Sequence, residues 1–415
     1  MIKLKKLYKF RTYVNIGIFN DIKVKNISGG VFMIITADIG QPIVDQMIKV
    51  IDYNVNIMNN KGIIVASGDR SRIHQIHQGA IEAIELKRER IIHTTDYENM
   101  MGTVMGINVP IEINNNIVGV VGITGDPTKI YKYIHIIKIT VESLLKQQLL
   151  IEQLRYKQTE LEEWIQNLAD ESFNDFSLLN SKAEYLNIDM NIKCSIVVIE
   201  IKDFNKSISD FENLRQNEEK ITRAIKLYIY KSIFQTYLEK GIFVVGYPIL
   251  NKDDQIKCND TCKMLHEELE KDGFLNYIGI GEAKKGIYGY RLSIFEALQS
   301  IDILKQVNSN QKIAHIAEWG IVQLIAQIPG NVRKNYISQF TDSNLTLNSE
   351  LEETLNTFLE NNLNIKQTSE KIHIHRNTLI YRLDKIKELW GLDPRKFSDA
   401  VKLQLLYWCK RLNRI

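Results

Sequence analysis

Apolar positions change their period from one part of this chain to the next. Near the C-terminus Leu379, Leu383 and Ile386 recur at i, i+4 and i+7, one face of a helix. Ile365, Ile372 and Ile374 mark a shorter helix and a tight turn before it. Gly391 ends the longer helix and Pro394 prevents its continuation. Helices over 351–361 and 398–412 supply partners for the apolar face. In the N-terminal third, Ile43, Met47, Val50 and Ile51 predict a helix over 41–54. Short strands over 55–58 and 63–67 flank the turn Asn59-Asn60-Lys61-Gly62, a hairpin signal. A helix over 71–88 is expected next, then strands over 104–112 and 117–124 around Asn114-Asn115-Asn116. A long helix starts near Pro127 and runs to about 167. Further on, 195–201, 241–247 and 277–281 read as buried strands. Helices lie between and after them, including 291–304.

These elements predict an α+β multidomain chain. The N-terminal order is that of an antiparallel sheet covered by helices, as in PAS, Cache and GAF sensor domains. The end of the chain is all-α. Along the long helix, Ile137, Leu144, Ile151, Leu154, Leu161, Ile165 and Leu168 follow spacings of three and four, with Gln147 and Gln158 on the same seam. That weak heptad suits a signalling helix in a parallel dimer; a surface helix packed on its own domain reads the same way.

Charge sharpens the C-terminal picture. Between Asn364 and Lys396 eight Lys/Arg face four Asp/Glu, while the whole chain carries a net charge of +3. The basic bias is therefore concentrated here. Opposite the apolar stripe of the longer helix stand Arg376, Asn377, Tyr381, Arg382, Lys385 and Lys387. Arg pairs bidentately with guanine and Asn with adenine, while Lys and Tyr serve phosphates. Spacing alone leaves an ordinary amphipathic hairpin equally open.

The wording of this segment settles that choice. His375-Arg376-Asn377-Thr378-Leu379-Ile380-Tyr381-Arg382-Leu383 closely resembles the helix-turn-helix of the PucR-type regulators, with Ser369 where the family usually has Ala. The resemblance implies binding to double-stranded DNA through His375, Arg376, Asn377, Thr378, Tyr381, Arg382 and Lys385. The N-terminal part resembles the sugar-diacid recognition domain of the carbohydrate-diacid regulators (the CdaR family). Ala66-Ser67-Gly68-Asp69-Arg70-Ser71-Arg72-Ile73, His77-Gln78-Gly79-Ala80, Gly106-Ile107-Asn108-Val109-Pro110 and the run 118–125 carry that resemblance. It implies a small hydroxy-acid effector of the glycerate, glucarate or galactarate class. A carboxylate calls for an Arg fork or backbone N–H groups, and hydroxyls for neutral donor–acceptors. Arg72, His77, Asn108 and Thr124, with backbone at Gly106 and Gly125, offer that set. His74 and Gln78 depart from the family's words. The middle segment resembles a degenerate GGDEF-like domain through Ile278-Gly279-Ile280-Gly281-Glu282 and the helix that follows. No Gly-Gly-Asp/Glu-Glu-Phe turn is present in the chain, and Glu200 and Asp203 are the remaining carboxylates near a strand end.

The expected organisation is a basic extension over 1–33, with Met33 opening the first real domain. A sensor follows over 34–136, a linker helix over 137–184, a GGDEF-like domain over 185–320 and a helix-turn-helix domain over 345–415. Length, 44% apolar and 25% charged residues fit two or three globular domains. Cys194, Cys258, Cys262 and Cys409 are scattered, which fits a reducing cytoplasm and no disulfide framework. Cys258, Cys262 and His266 share a helix face without an evident fourth ligand, and His74 and His77 lack a partner of metal-binding type. Neither metal nor cofactor is expected. No phosphate loop or G-x-S-x-G turn occurs, so the chain reads as a ligand-responsive regulator, an activator and homodimer, rather than an enzyme.

Overall fold

The computed structural model describes residues 25–27, 30–32, 35–96, 101, 103–202, 204, 211–239, 241–307, 311–340 and 347–412, with the backbone alone at 25–27, 30–32 and 211–215. Met33, Asp203 and residues 1–24, 28 and 29 of the basic extension lie outside them. Two compact units emerge, one within Phe10–Lys157 and the other over Gln158–Ile415.

In the first unit, β1 (Lys25–Ile27) and β2 (Gly30–Phe32) pair as a short hairpin. Helix α1 (Ala37–Ile51) precedes β3 (Val55–Asn59) and β4 (Ile64–Ser67). Helix α2 (Gln78–Leu86), β5 (Arg90–Ile92), β6 (Gly106–Ile113) and β7 (Asn116–Thr124) follow. The sheet is antiparallel throughout, in the order β4-β3-β7-β6-β5. One face packs on α1 and on α3 (Pro127–Ala169) through Val55, Ile57, Ile107, Val121 and Ile123. That core continues along α3 to Leu145. The other face meets α2 through Met58, Ile64, Val120, Ala80 and Ala83.

The helix expected over 71–88 is shorter than its pattern. Arg70–Arg72 is a single 3-10 turn, and α2 begins at Gln78. Between them His74 takes a left-handed conformation at φ 70, and Ile76 bridges to Ile63. The segment runs extended beside β4, with His74 N–H donating to Ile64 O and Ile64 N–H to Gln75 O. Tertiary pairing has overridden helical periodicity.

In the second unit, β8 (Cys194–Ile201), α5 (Phe211–Tyr228), β9 (Phe234–Glu239), β10 (Ile242–Pro248), α6 (Lys252–Lys271) and β11 (Asn276–Ile280) follow α4 (Phe176–Tyr185). The order β11-β8-β10-β9 is that of a split βαββαβ unit. After α7 (Gly286–Val307), β12 (Ile313–His315) joins β11 in parallel. Cys258 and Cys262 are buried in the core beneath α6, and His266 Nδ1 lies 2.8 Å from Asn276 Oδ1. Glu200 is ion-paired to Lys305. The seam predicted along α3 is divided: Ile137 belongs to the first core, Ile165 and Leu168 to the second, while Ile151 and Leu154 between them are exposed. Among the described residues no helix is long and apolar enough to cross a membrane.

Helices α8 (Val322–Gln327) and α9 (Gly330–Ser338) lead to α10 (Ser349–Glu360), α11 (Ile365–Lys371), α12 (Arg376–Trp390) and α13 (Phe397–Arg411). Leu351, Leu355, Phe358, Leu379, Leu383, Ile386, Leu403 and Leu406 form the core of this helical part.

Candidate DNA-binding face and sensor site

Each helix around the turn starts on a side-chain cap. Asn364 Oδ1 accepts from Gln367 N–H at 3.1 Å, and His375 Nδ1 from Asn377 N–H at 3.2 Å. Between α11 and α12 the chain turns at His373, φ 53, and Ile374 N–H donates back to Ser369 O. Ser369 is buried, and its hydroxyl donates to Lys366 O at 2.9 Å. A small residue therefore suffices where α11 packs closely. Helix α12 buries Leu379, Leu383, Ile386 and Trp390. Gly391 ends it at φ 68, a left-handed cap.

The opposite side of α12 is open. Arg376, Asn377, Thr378 and Lys385 are exposed, and Tyr381 is 67% exposed. His375 is exposed while it caps the helix. Six of the seven predicted contact residues thus stand free of the core at one side and the N-terminal end of one helix, a shape that fits a major groove. Lys385 lies 3.5 Å from Glu388, and both are on the surface. The structure gives Arg382 a different position. It is half-buried, donating from Nη1 to Thr354 Oγ1 at 3.1 Å and from Nη2 to Glu350 Oε2 at 3.4 Å. It sits one residue round from Tyr381, on the edge that meets α10, and ties the two helices together. Sequence reasoning missed Arg395, which clamps the far end of α12. Its Nη2 donates to Asp384 Oδ1 at 2.6 Å and its Nε to Asp393 Oδ1 at 2.8 Å. These bonds hold the Asp393 carboxyl well below the usual carboxylate range.

In the sensor the predicted residues gather on the α2-facing side of the sheet. Gly106 pairs with Thr124 and Asn108 with Gly122, so all four share the face of Met58 and Val120. Asn108 is 3% exposed. Its carboxamide packs against Gly122 and Gly79, where an added Cβ would come within 2.6 Å of Oδ1 and 3.0 Å of Nδ2. His77, 4% exposed, caps α2 by accepting Ala80 N–H at Nδ1, 3.3 Å. The ring proton is then on Nε2. Burial first, and the Arg72 charge second, push this imidazole down to about 4, so it is neutral near pH 7. Arg72 is itself half-buried, and burial lowers its guanidinium while Asp69 opposes that shift.

Other groups here are engaged by the fold. The first amides of α2 are satisfied by Met101 O, by Thr103 Oγ1 and by His77. Gly125 N–H donates to Met105 O, and its φ of +151° with Tyr53 and Ile130 close by demands glycine. Gly125 therefore shapes the strand end and does not offer its amide. Sequence reasoning missed Asn56 on β3, 2% exposed and the register partner of Gly122. The available signal was a lone Asn inside an apolar strand.

Residues 35–168 match the family described as putative sugar diacid recognition, and residues 351–408 the PucR C-terminal helix-turn-helix domain. The chain is 28% identical over 372 residues to the carbohydrate diacid regulator of Escherichia coli (strain K12), covering 88% of this chain and 94% of that one. It is 23% identical over 266 residues to the proline-responsive transcriptional activator PutR of Bacillus subtilis (strain 168), covering 60% and 61%. It is 37% identical over 59 residues to the purine catabolism regulatory protein of the same organism, covering 14% and 11%. These relatives are regulators by name. With its recognition face, the chain is a DNA-binding regulator rather than an enzyme, with a sugar-diacid recognition segment, a PucR-type helix-turn-helix at its end and a likeness to a carbohydrate diacid regulator along most of its length.

Proposed function

We propose that this protein activates genes for hydroxy-acid or sugar-diacid use, as a cytoplasmic homodimer whose affinity for DNA is set by a small acid in the sensor. The observation that carries the sensing role is the polar cluster on the α2-facing side of the sheet: buried Asn108, neutral His77 across Gly79 from it, and Arg72 close enough to act on His77. In this reading Arg72 holds a carboxylate, while Asn108, His77 and Thr124 meet hydroxyls. Gly106 gives β6 and β7 their close approach at the rim. A ligand that binds one sensor arrangement better shifts the population toward a dimer whose two recognition helices fit the operator. PAS/Cache-like and GGDEF-like remain our descriptions of the first and middle domains, the latter as a transmitting module.

The test is a thermal-shift screen of glycerate, glucarate and galactarate on the full chain. Arg72→Ala and Asn108→Ala should each remove the shift given by the acid that binds. An unchanged shift in both variants would move the pocket elsewhere.

A further inference from the structure

Strand β9 is an edge of the middle sheet, bonded to β10 and to no strand beyond it among the described residues. Between that edge and α5 lies a cleft of about 390 Å³, wholly within the second unit. A second hollow of about 590 Å³ shares Thr222, Lys226 and Tyr237 with it. Gln235 of β9, Val245 of β10 and Val197 of β8 occupy one register row. The row of Glu239, Ile242 and Glu200 lies three residues further along, about 10 Å away. The cleft is therefore set back from the turn between β9 and β10.

The floor is apolar. Ile225, Phe243 and Val245 are buried and border the cleft. The Tyr237 ring stands 5.0 Å from that of Phe243, tilted by 58°. Such a surface holds a flat, apolar body better than a polyol. Its polar groups are few and specific. Gln235 Oε1 is buried and accepts no hydrogen bond among the described residues. A buried acceptor left without a donor is costly, and a ligand O–H or N–H removes that cost. Thr222 Oγ1 and the Tyr237 hydroxyl lie 3.1 Å apart. Whichever of them donates, one hydroxyl proton is left over. Gln158, from the end of α3, borders the cleft and donates from Nε2 to Thr236 Oγ1 at 3.2 Å. Charge enters from α5. Lys226 is exposed and borders the cleft itself, whereas Glu218 and Glu219 border the second hollow. Arg223, also exposed, stands one turn from Lys226.

We infer that this cleft is a second ligand site, separate from the sensor, and that it takes a flat aromatic acid with an O–H or N–H donor away from its carboxylate. The ring lies on the Ile225–Phe243–Val245 floor beside Tyr237. The donor meets Gln235 Oε1, and the carboxylate faces Lys226. This does not rest on the sensing role proposed above.

The experiment is calorimetric titration of the full chain with 4-hydroxybenzoate and with benzoate, which lacks the donor. The hydroxylated acid should bind at least about tenfold tighter, because a site built around a hydrogen bond rejects the analogue without it. Gln235→Met keeps the bulk and removes the acceptor. It should fold as the parent does by circular dichroism and bind the two acids equally. Lys226→Met, at an exposed position, should weaken both acids alike by about two- to fivefold, the usual worth of a surface ion pair. The inference is overturned if neither acid binds the parent, if the two bind it equally, or if the preference survives in Gln235→Met. Unchanged binding by Lys226→Met overturns it as well, whether or not Gln235→Met folds.

Discussion

At the scale of single residues, neighbours decide what each side chain can do. Arg376 and Asn377 are exposed on α12, whereas Arg382 is tied to Thr354 and Glu350. Arg376→Ala or Asn377→Ala should cost about 1–3 kcal/mol of specific DNA affinity and relax base preference. Arg382→Ala should instead lower unfolding stability by about 1 kcal/mol, seen as an earlier urea midpoint. His77 gives a pH signature. Unfolded, it takes a proton near 6.5; folded, it refuses one until about 4. Its contribution is intact above pH 6.5 and is lost as pH falls toward 4, by about 3 kcal/mol in all. His77→Asn retains a capping acceptor, and its stability should fall less over that window. Parallel pH profiles would show that His77 is not the buried neutral group described. His375 to Leu383 was legible because its run of residues is specific. The alignment of Asn56 and Asn108 on Gly122 was not, since cross-strand register is encoded in no local pattern.

At the scale of elements, the long periodic helices and the two N-terminal hairpins were legible in the sequence. Helix α12 and its cap at Gly391 followed from an apolar stripe and a glycine. The short strands β5, β9 and β12 escaped notice. They sit at or near sheet edges, where few residues alternate and tertiary pairing supplies the stability. The helix expected over 71–88 failed for the same reason, because pairing beside β4 outweighed periodicity. Gly391→Ala should cost about 1 kcal/mol, because φ 68 burdens a Cβ. An unaltered urea midpoint would mean that α12 does not end in a left-handed cap.

At the scale of the molecule, the chain is two units. Within the second, α13 serves two cores. Leu403 and Leu406 face the helix-turn-helix, while Cys409 and Leu412 pack with Ile303, Val307, Val322 and Ile325. Arg411 Nη2 adds a hydrogen bond to Val307 O at 3.2 Å. The recognition helix and the middle sheet should therefore unfold together, with the sensor as a separate transition in calorimetry. A bound acid at a hundred times its Kd should stabilise the sensor transition by about 2.7 kcal/mol. Leu412→Ala should destabilise the other by about 2–4 kcal/mol. A division into sensor, middle and helix-turn-helix parts was expected from the sequence. The sharing of α13 was not, because an amphipathic pattern shows that a face is buried but not against what.

The central claim is that an acid in the sensor changes how this protein holds DNA. The direct measurement is fluorescence anisotropy of a duplex from the protein's own upstream region, titrated with the full chain at fixed salt, with and without saturating glycerate. The account predicts a shift in Kd of about 5- to 150-fold, the usual range of coupling between two sites. Superimposable titrations, from a protein that binds both the duplex and the acid, would contradict it.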